Sequence, residues 1–416
     1  MAGDEAAELD LVLASGSVRS LYQPIVELDS GRTVAWEALA RGPKGSPLEF
    51  PDRLFAAAAR TGRTAELDYR CRRAAVDSAV AAGLGTAQEL FVNIEPEVAG
   101  IRQWAPALRR RAGAQAQLRV TIEITERALT AAPAELLALV DEYRRAGCGI
   151  AIDDVGADPR SIGLMPLLVP DVIKLDMAFV QQPMSRSRAR VVHAVAAQAE
   201  RSGARILAEG IENERQAARA QALGATLGQG WLFGRPGELR PAADSDGTGR
   251  IRVEVDNGSE TPFAHLIGCC VSRTGTKARL LQMSLALEEQ ALLQGESAVL
   301  LSTFQEARYF PPSTRDRYAS IAARVAFVGA LGHGLDPEPA PGVRGSALTA
   351  DDPLRQEWDV VVLGPHFAGA FLARDVGDDG ADSARRFEYV VTYDRDLVVA
   401  AATRLMRRIT PLAPQG

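Results

Sequence analysis

The sequence predicts an α/β chain: a parallel sheet or barrel of the (β/α)8 kind, followed by a smaller α/β or α+β domain. The first observation is a set of short apolar runs in the N-terminal half, each carrying a polar residue at or near its end. They are VAWEAL with Glu37, LFVNIE with Asn93, VTIEIT with Glu123, GIAIDDV with Asp153 and Asp154, DVIKLD with Lys174 and Asp176, RILAEG with Glu209, and ATLGQG with Gln229. Polar residues at the C-terminal ends of successive strands are how such a barrel builds an active site. The second observation is punctuation: YRRAG stops at Gly147, AERSG at Gly203 and AQALG at Gly224, each just before a strand-like run. Glycine suits the left-handed position that follows a helix. Helix, glycine, strand and polar residue therefore recur, which favours parallel over antiparallel pairing. The acids of these runs would share one rim. Packed carboxylates repel unless something cationic lies between them, so the pattern calls for divalent metal.

Along the chain, ELDYRCRRAAVDSAVAAG and AELLALVDEYRRAG read as the longer helices of this half. The segment from Gly237 to Glu260 is rich in Gly, Asp and Ser and reads as a linker, with one strand possible in IRVEV. We divide the chain into 1–240, a linker 241–257, a second domain 258–410 and a tail 411–416. In the second domain a helix is expected around TKARLLQMSLALEEQALL, strands at SAVLLS, ARVAFVG, DVVVLG, GAFLARD and FEYVVTYD, and a closing helix at DRDLVVAAATRLMRRI. Gly332 to Pro353 and Asp375 to Ser383 are expected to be loops.

The 416 residues, 47% hydrophobic and 24% charged, suffice for two or three cores. A net charge of -6 and a pI near 5.5 argue against DNA binding. The acidic start MAGDEAAELD lacks the basic region of a signal peptide, and no apolar run is long enough to cross a membrane. Cys71, Cys148, Cys269 and Cys270 show neither zinc nor disulfide spacing, and Cys269-Cys270 is expected to be a buried structural pair. The expectation is a reduced, cytoplasmic protein.

Read in order, Glu37-Ala38-Leu39 with Arg41, then VNI, IEITE, the two aspartates, IKLD, AEGIE and QGWLFGRP form a combined signature. Over residues 8 to 240 the chain resembles the EAL domain family, phosphodiesterases that hydrolyse cyclic di-GMP. The resemblance implies a TIM-like barrel with an irregular first strand, two Mg2+ or Mn2+ ions per site, and linear 5′-pGpG as product. It implies that Glu37, Asn93, Glu123 and Asp153 hold one metal. Asp153 would bridge to the second, with Asp154 beside it. Lys174 would orient or deprotonate the attacking water, its pKa depressed amid the metals, and Glu209 would assist the second metal and the water. Gln229 and Glu212 would complete the rim, Glu126 would steady the loop after Asp154, and Gln23, Leu39 and Arg41 would meet the substrate. Two metals can stabilise charge on a phosphodiester during in-line displacement, and hard cations want oxygen ligands. A homodimer is implied as well.

Each residue also has a plain structural reading when taken singly. Glu37 caps a helix, Asn93 and Gln229 serve turns, Asp153 and Asp154 begin a loop, Lys174 pairs with Asp176, and Arg41 is a solvated charge. The run Val155-Gly156-Ala157-Asp158-Pro159-Arg160-Ser161 departs from the family's aromatic residue and Gly-Thr-Gly, and Glu95 replaces a common serine. These departures keep open a catalytically weak or inactive cyclic di-GMP receptor, or a protein-interaction module. The C-terminal half resembles the DICT domain, a sensory module, through CCVSRTGTKARLL, FQEARYFP and DVVVLGPHFAGAFLARD, and implies an unknown ligand or protein partner. Tyr309-Phe310 would line a cleft or pack in the core, and His265, His333 and His366 are either a metal site or ordinary histidines.

Overall fold

A computed structural model describes residues 2–85, 88–95, 118–125, 132–156, 158, 160–241, 261–377 and 381–409. The chain forms two compact units: Met1–Ala128, Leu139–Ala157 and Val169–Val255 make the first, and Leu129–Ala138, Asp158–Leu168 and Asp256–Gly416 the second.

The first unit contains a closed barrel of β1 (Arg19–Glu27), β2 (Thr33–Arg41), β3 (Glu89–Ile94), β4 (Arg119–Thr125), β5 (Gly149–Val155), β6 (Val172–Leu175), β7 (Arg205–Ala208) and β8 (Leu227–Gln229), in chain order. β1 is the irregular member: it runs antiparallel to both β2 and β8, while every other pair is parallel. The three helix-stopping glycines, Gly147, Gly203 and Gly224, all have positive φ, at 83, 77 and 89°. A side chain there would be strained, which explains the punctuation.

Apolar side chains fill the barrel at one level: Ile25, Ala35, Phe91, Ala151, Val172, Leu207 and Leu227 form a cluster that is almost fully buried. Strand side chains alternate with a period of two, so the next inward position is two residues on. Counting two onward from these residues gives Glu37, Asn93, Asp153, Lys174, Glu209 and Gln229. In the reversed strand β1, two residues back from Ile25 gives Gln23. Two residues back from Phe91 is Glu89, whose Oε1 accepts from Thr121 Oγ1, the inward β4 residue two before Glu123, at 2.6 Å.

The second unit holds a mixed seven-stranded sheet in the order β12-β11-β10-β13-β14-β15-β9. The strands are β9 (Arg273–Thr276), β10 (Val299–Glu306), β11 (Phe327–His333), β12 (Arg344–Ala347), β13 (Glu357–Leu363), β14 (Ala368–Asp375) and β15 (Arg386–Thr392). The expected helices appear as Lys277–Gln294 and Arg395–Met406. One core joins Leu280 and Leu287 of the first of these, Tyr318 and Ile321 of a helix at Pro312–Ala322, and Leu300, Val360, Phe371 and Phe387 of the sheet.

Two expectations are corrected. The segment Gly332 to Pro353 is not all loop, because Arg344–Ala347 pairs in parallel with β11 as an edge strand. Cys269 is exposed and Cys270 half-exposed. The helix Pro262–Leu266 turns Phe263 and Leu266 into the core, and the chain leaves that face before it reaches the cysteines. The IRVEV segment lies outside the described residues. Among the described residues no helix is long and apolar enough to cross a membrane.

Gly149 opens β5 where a Cβ would stand 2.5 Å from Thr121 Oγ1 and 3.5 Å from Glu89 Oε1. Gly149→Ala should therefore overpack this level and destabilise the barrel by about 1–3 kcal/mol. Urea unfolding followed by tryptophan fluorescence would read this; an unchanged barrel transition would refute the close fit.

Candidate active site

Parallel strands deliver their inward residues to one rim, and the result is a buried ammonium among carboxylates. Lys174 Nζ lies 2.7 Å from Glu123 Oε1, 2.8 Å from Glu209 Oε1, 2.9 Å from Asp153 Oδ1 and 3.7 Å from Glu37 Oε2. Lys174 is 1% exposed and Glu123 also 1%, so solvent screens neither. Glu37 is gripped from both sides: Asn93 Nδ2 donates to Oε1 at 3.1 Å and Gln229 Nε2 to Oε2 at 2.6 Å. Gln229 Nε2 also reaches Gln23 Oε1 at 3.2 Å, and Gln23 Nε2 donates to the Gly234 carbonyl at 3.1 Å. The antiparallel β1 thus adds its own side chain to the ring.

Asp154 does not fit the alternation, and the backbone accommodates it. The pairing of β5 with β6 shifts between Ile152 and Val155, and Asp154 adopts φ 58°. Such a bulge re-aims a side chain, and Asp tolerates the left-handed region better than most residues. Asp153, Asp154 and Glu209 each offer one oxygen within 4.8 Å of the others, a grouping able to hold a cation. Gly156 follows at φ 103°, where a Cβ would meet the Phe179 ring at 2.4 Å. Phe179 and Val155 are both buried.

The acids are unevenly charged. Burial pushes Glu123 well above the usual carboxylate range, and the charge of Glu37 adds to this. Burial also pushes Glu209 up to about 8, with Asp153 and Glu37 adding and Lys174 opposing. At Glu37 burial is outweighed by Lys174, Gln229 and Asn93, and its carboxyl falls below the usual range. Burial works against the Lys174 ammonium, yet Asp153, Glu123, Glu209 and Glu37 together raise it well above an ordinary lysine. The depressed pKa expected of Lys174 concerns a lysine amid metals; with carboxylates alone around it, the ammonium is favoured instead.

The donor set fits a hard divalent cation. One ammonium faces four carboxyl groups within 3.7 Å, and Glu123 Oε2 has no hydrogen-bond partner among the described residues. Oxygen ligands with charge to spare are what such ions select.

Other expected residues sit differently. Asp176 does not pair with Lys174; its Oδ1 accepts from the Ala178 N–H at 2.8 Å. Leu39 and Arg41 lie on β2 and line a cavity of about 300 Å³ together with Asn93, Phe55 and Glu95. Arg41 Nη1 donates to the Ala40 carbonyl at 2.8 Å. Glu212 is exposed beyond β7, where its N–H donates to Gln216 Oε1, and among the described residues its carboxylate makes no bond to the cluster. Glu126, Ala157 and Pro159 lie outside the described residues. Sequence reading missed Asp68 and Arg72, a buried ion pair at 2.5 Å in the cavity wall. Their i,i+4 spacing in a helix was the available signal.

Two family models match the chain. The EAL domain model covers residues 6–236, and the DICT model, described as a sensory domain in diguanylate cyclases and two-component systems, covers 271–375. The chain belongs to the EAL domain family. It is 32% identical to the cyclic di-GMP phosphodiesterase RocR of Pseudomonas aeruginosa over 56% of this chain and 62% of that protein. It is 31% identical to the probable cyclic di-GMP phosphodiesterase PdeB of Escherichia coli over 51% and 42%. The chain therefore spans less than two thirds of either relative. Among solved structures, Klebsiella pneumoniae BlrP1 in its calcium and cyclic di-GMP complex is 30% identical, covers 53% of this chain and 56% of that one, and has a TM-score of 0.47.

Removing the central ammonium should be costly when no other cation is present. In chelator-treated protein, Lys174→Met is expected to lose roughly 3–5 kcal/mol of barrel stability, the usual cost of breaking a buried ion cluster. Denaturant unfolding in EDTA measures it, and a loss below about 0.5 kcal/mol, the scale of a surface change, would show the cluster to be neutral.

Proposed function

We propose that this protein is a cyclic di-GMP phosphodiesterase that yields linear 5′-pGpG with the aid of two divalent cations, Mg2+ or Mn2+, under the control of its C-terminal domain. The carrying observation is the buried Lys174 held among Glu37, Glu123, Asp153 and Glu209. Membership of the EAL family and the names of RocR and PdeB support it. In this reading residues 1–240 are the catalytic domain, 241–257 a linker and 258–410 the sensory domain, and the protein is a cytoplasmic homodimer.

Glu37, Asn93, Glu123 and Asp153 would hold one cation, and Asp154 and Glu209, beside Asp153, the other. The cations supply positive charge at the phosphate, which stabilises the extra charge that builds up in displacement. The protein's own side chains orient and transfer protons. Asn93 and Gln229 fix the rotamer of Glu37 by bonding both of its oxygens. Gln229 in turn aligns Gln23. Lys174 positions the attacking water through its N–H groups, and Glu209, 2.8 Å from that amine, assists the water beside it. Water adds its oxygen to phosphorus, the bond from phosphorus to the 3′ oxygen breaks, and the departing oxygen takes up a proton. Arg41 lies on the cavity side of β2, where its planar fork suits the second phosphate. Leu39 and Gln23 meet a guanine, Glu212 completes the rim, and Glu126, outside the described residues, is the residue expected to steady the loop after Asp154.

A second reading is a nucleotide receptor with little turnover. The observation favouring it is Val155-Gly156 in place of the family's aromatic residue and its glycine-rich loop.

Incubation of the whole chain with cyclic di-GMP and Mg2+ or Mn2+, with products separated by chromatography, decides between them. The parent should form 5′-pGpG. Outer partners of a metal site are worth 10–100-fold, so Glu37→Ala and Asp153→Ala should each lose about 100-fold or more. Equal turnover by parent and variants would sink the site assignment. Folded protein that binds the nucleotide without product would establish the receptor instead.

A further inference from the structure

The second unit contains a cavity of about 390 Å³ between the helices Lys277–Gln294 and Pro312–Ala322 and one face of its sheet. Its polar floor is buried. Tyr318 OH lies 2.7 Å from Ser302 Oγ and 3.1 Å from Glu288 Oε1, and Arg317 Nε donates to Glu288 Oε2 at 2.6 Å. Burial pushes the Glu288 carboxyl up, against the pull of Arg317. A core needs no such group, since apolar residues of similar volume would pack there at no loss of stability.

Two further lining residues point the same way. Ser284 is 3% exposed and Thr314 8%, and both line the cavity. Neither hydroxyl has a hydrogen-bond partner among the described residues. Both side chains are largely buried while their hydroxyls open onto the cavity rather than being sealed in the core, so a ligand entering it can bond them. The walls are aromatic: Phe304, Trp358 and Phe387 line the space, with Tyr309 at the rim. Phe310 is not among the lining residues but is 5% exposed in the core, so the expected Tyr309-Phe310 pair divides between cleft and core.

Charge narrows the ligand class. Every charged group near the space already has a counter-charge: Arg317 has Glu288, Lys277 has Asp382 at 2.6 Å, Arg308 has Glu306 at 3.0 Å, and Arg385 has Asp375. An ion entering the cavity would lose its hydration and find no partner to replace it. The cavity is also within the size range of small-molecule sites.

We propose that this cavity binds an uncharged, planar heteroaromatic molecule, its ring against Phe304, Trp358 and Phe387 and its polar edge on the Ser284 and Thr314 hydroxyls. Ring faces give stacking and edge contacts, while a hydroxyl can both donate and accept to a cyclic N–H and C=O. The inference concerns the second unit alone and stands whether or not the barrel turns over cyclic di-GMP.

The test is calorimetry on the full chain with three probes. 4-Quinolone is uncharged and aromatic, kynurenate adds a carboxylate to the same ring system, and caprolactam keeps the N–H and C=O without aromaticity. 4-Quinolone should bind at least about tenfold more tightly than either, a difference of about 1.4 kcal/mol. Thr314→Ala should weaken it about threefold or more, in keeping with the loss of one hydrogen bond. Ser284→Phe should abolish it by filling the space, with melting temperature checked in parallel; if that variant unfolds, Thr314→Ala decides. Equal or tighter binding of kynurenate or caprolactam would overturn the uncharged or the aromatic assignment respectively. No binding of 4-quinolone at millimolar concentration, or full binding by Thr314→Ala, would overturn the site.

Discussion

The repulsion among carboxylates at one end of the barrel is the constraint on which the rest of the first unit depends. Glu37, Glu123, Asp153 and Glu209 come from four different strands and meet around one amine. No local sequence preference would assemble them. What assembles them is inward alternation: Ala35, Ala151 and Leu207 lie two residues before Glu37, Asp153 and Glu209, and Thr121 lies two before Glu123, so the next inward position of each strand reaches the rim. A slip of one residue in any of these strands would turn its site residue outward and an apolar neighbour inward. The price of concentrated charge is met locally, by Lys174 and by the amides of Asn93 and Gln229.

Much of this was legible because the barrel's two rules, alternation and a shared rim, leave marks in a linear sequence. A polar residue at the end of an apolar run is such a mark, and Glu37, Asn93, Glu123, Asp153, Lys174, Glu209 and Gln229 all carry it. Asp154 carried the same mark but reaches the rim by another means, a register shift and a left-handed backbone that no pattern of residue types specifies. The link from Gln23 through Gln229 to Glu37 was equally hidden, because it depends on β1 running antiparallel.

In the second unit the long apolar strands and the two long helices were readable, and the short elements were not. β9 is RTGT and β12 is RGSA, four residues each with little apolar content, held by pairing at the edges of the sheet rather than by burial. The helix Pro312–Ala322 buries only Thr314, Tyr318 and Ile321, so its periodic signal is sparse. Cys269 and Cys270 misled for a related reason. Their apolar neighbours Phe263 and Leu266 are buried by a helix of five residues, and the thiols come after it has ended. Among the described residues the histidines form no metal-holding group; His333 instead faces the Leu348 carbonyl at 2.9 Å.

The direction of the Lys174 shift bears on what the amine can do. Surrounded by acids alone it is an ammonium, held well above the ordinary lysine range. Each acid that gives its charge to another cation withdraws part of that stabilisation, while burial, which disfavours the ammonium, remains. The capacity of Lys174 to accept a proton is therefore set by how its four carboxyl neighbours are occupied. The same residue balances the cluster when it stands alone, and its ammonium is held less firmly as that duty passes elsewhere. Glu209 has the complementary property: its carboxyl is raised chiefly by burial, with Asp153 and Glu37 reinforcing it and Lys174 opposing it. Both groups therefore answer to the same neighbouring charges, and the cluster behaves as one electrostatic unit rather than as separate acids and a base.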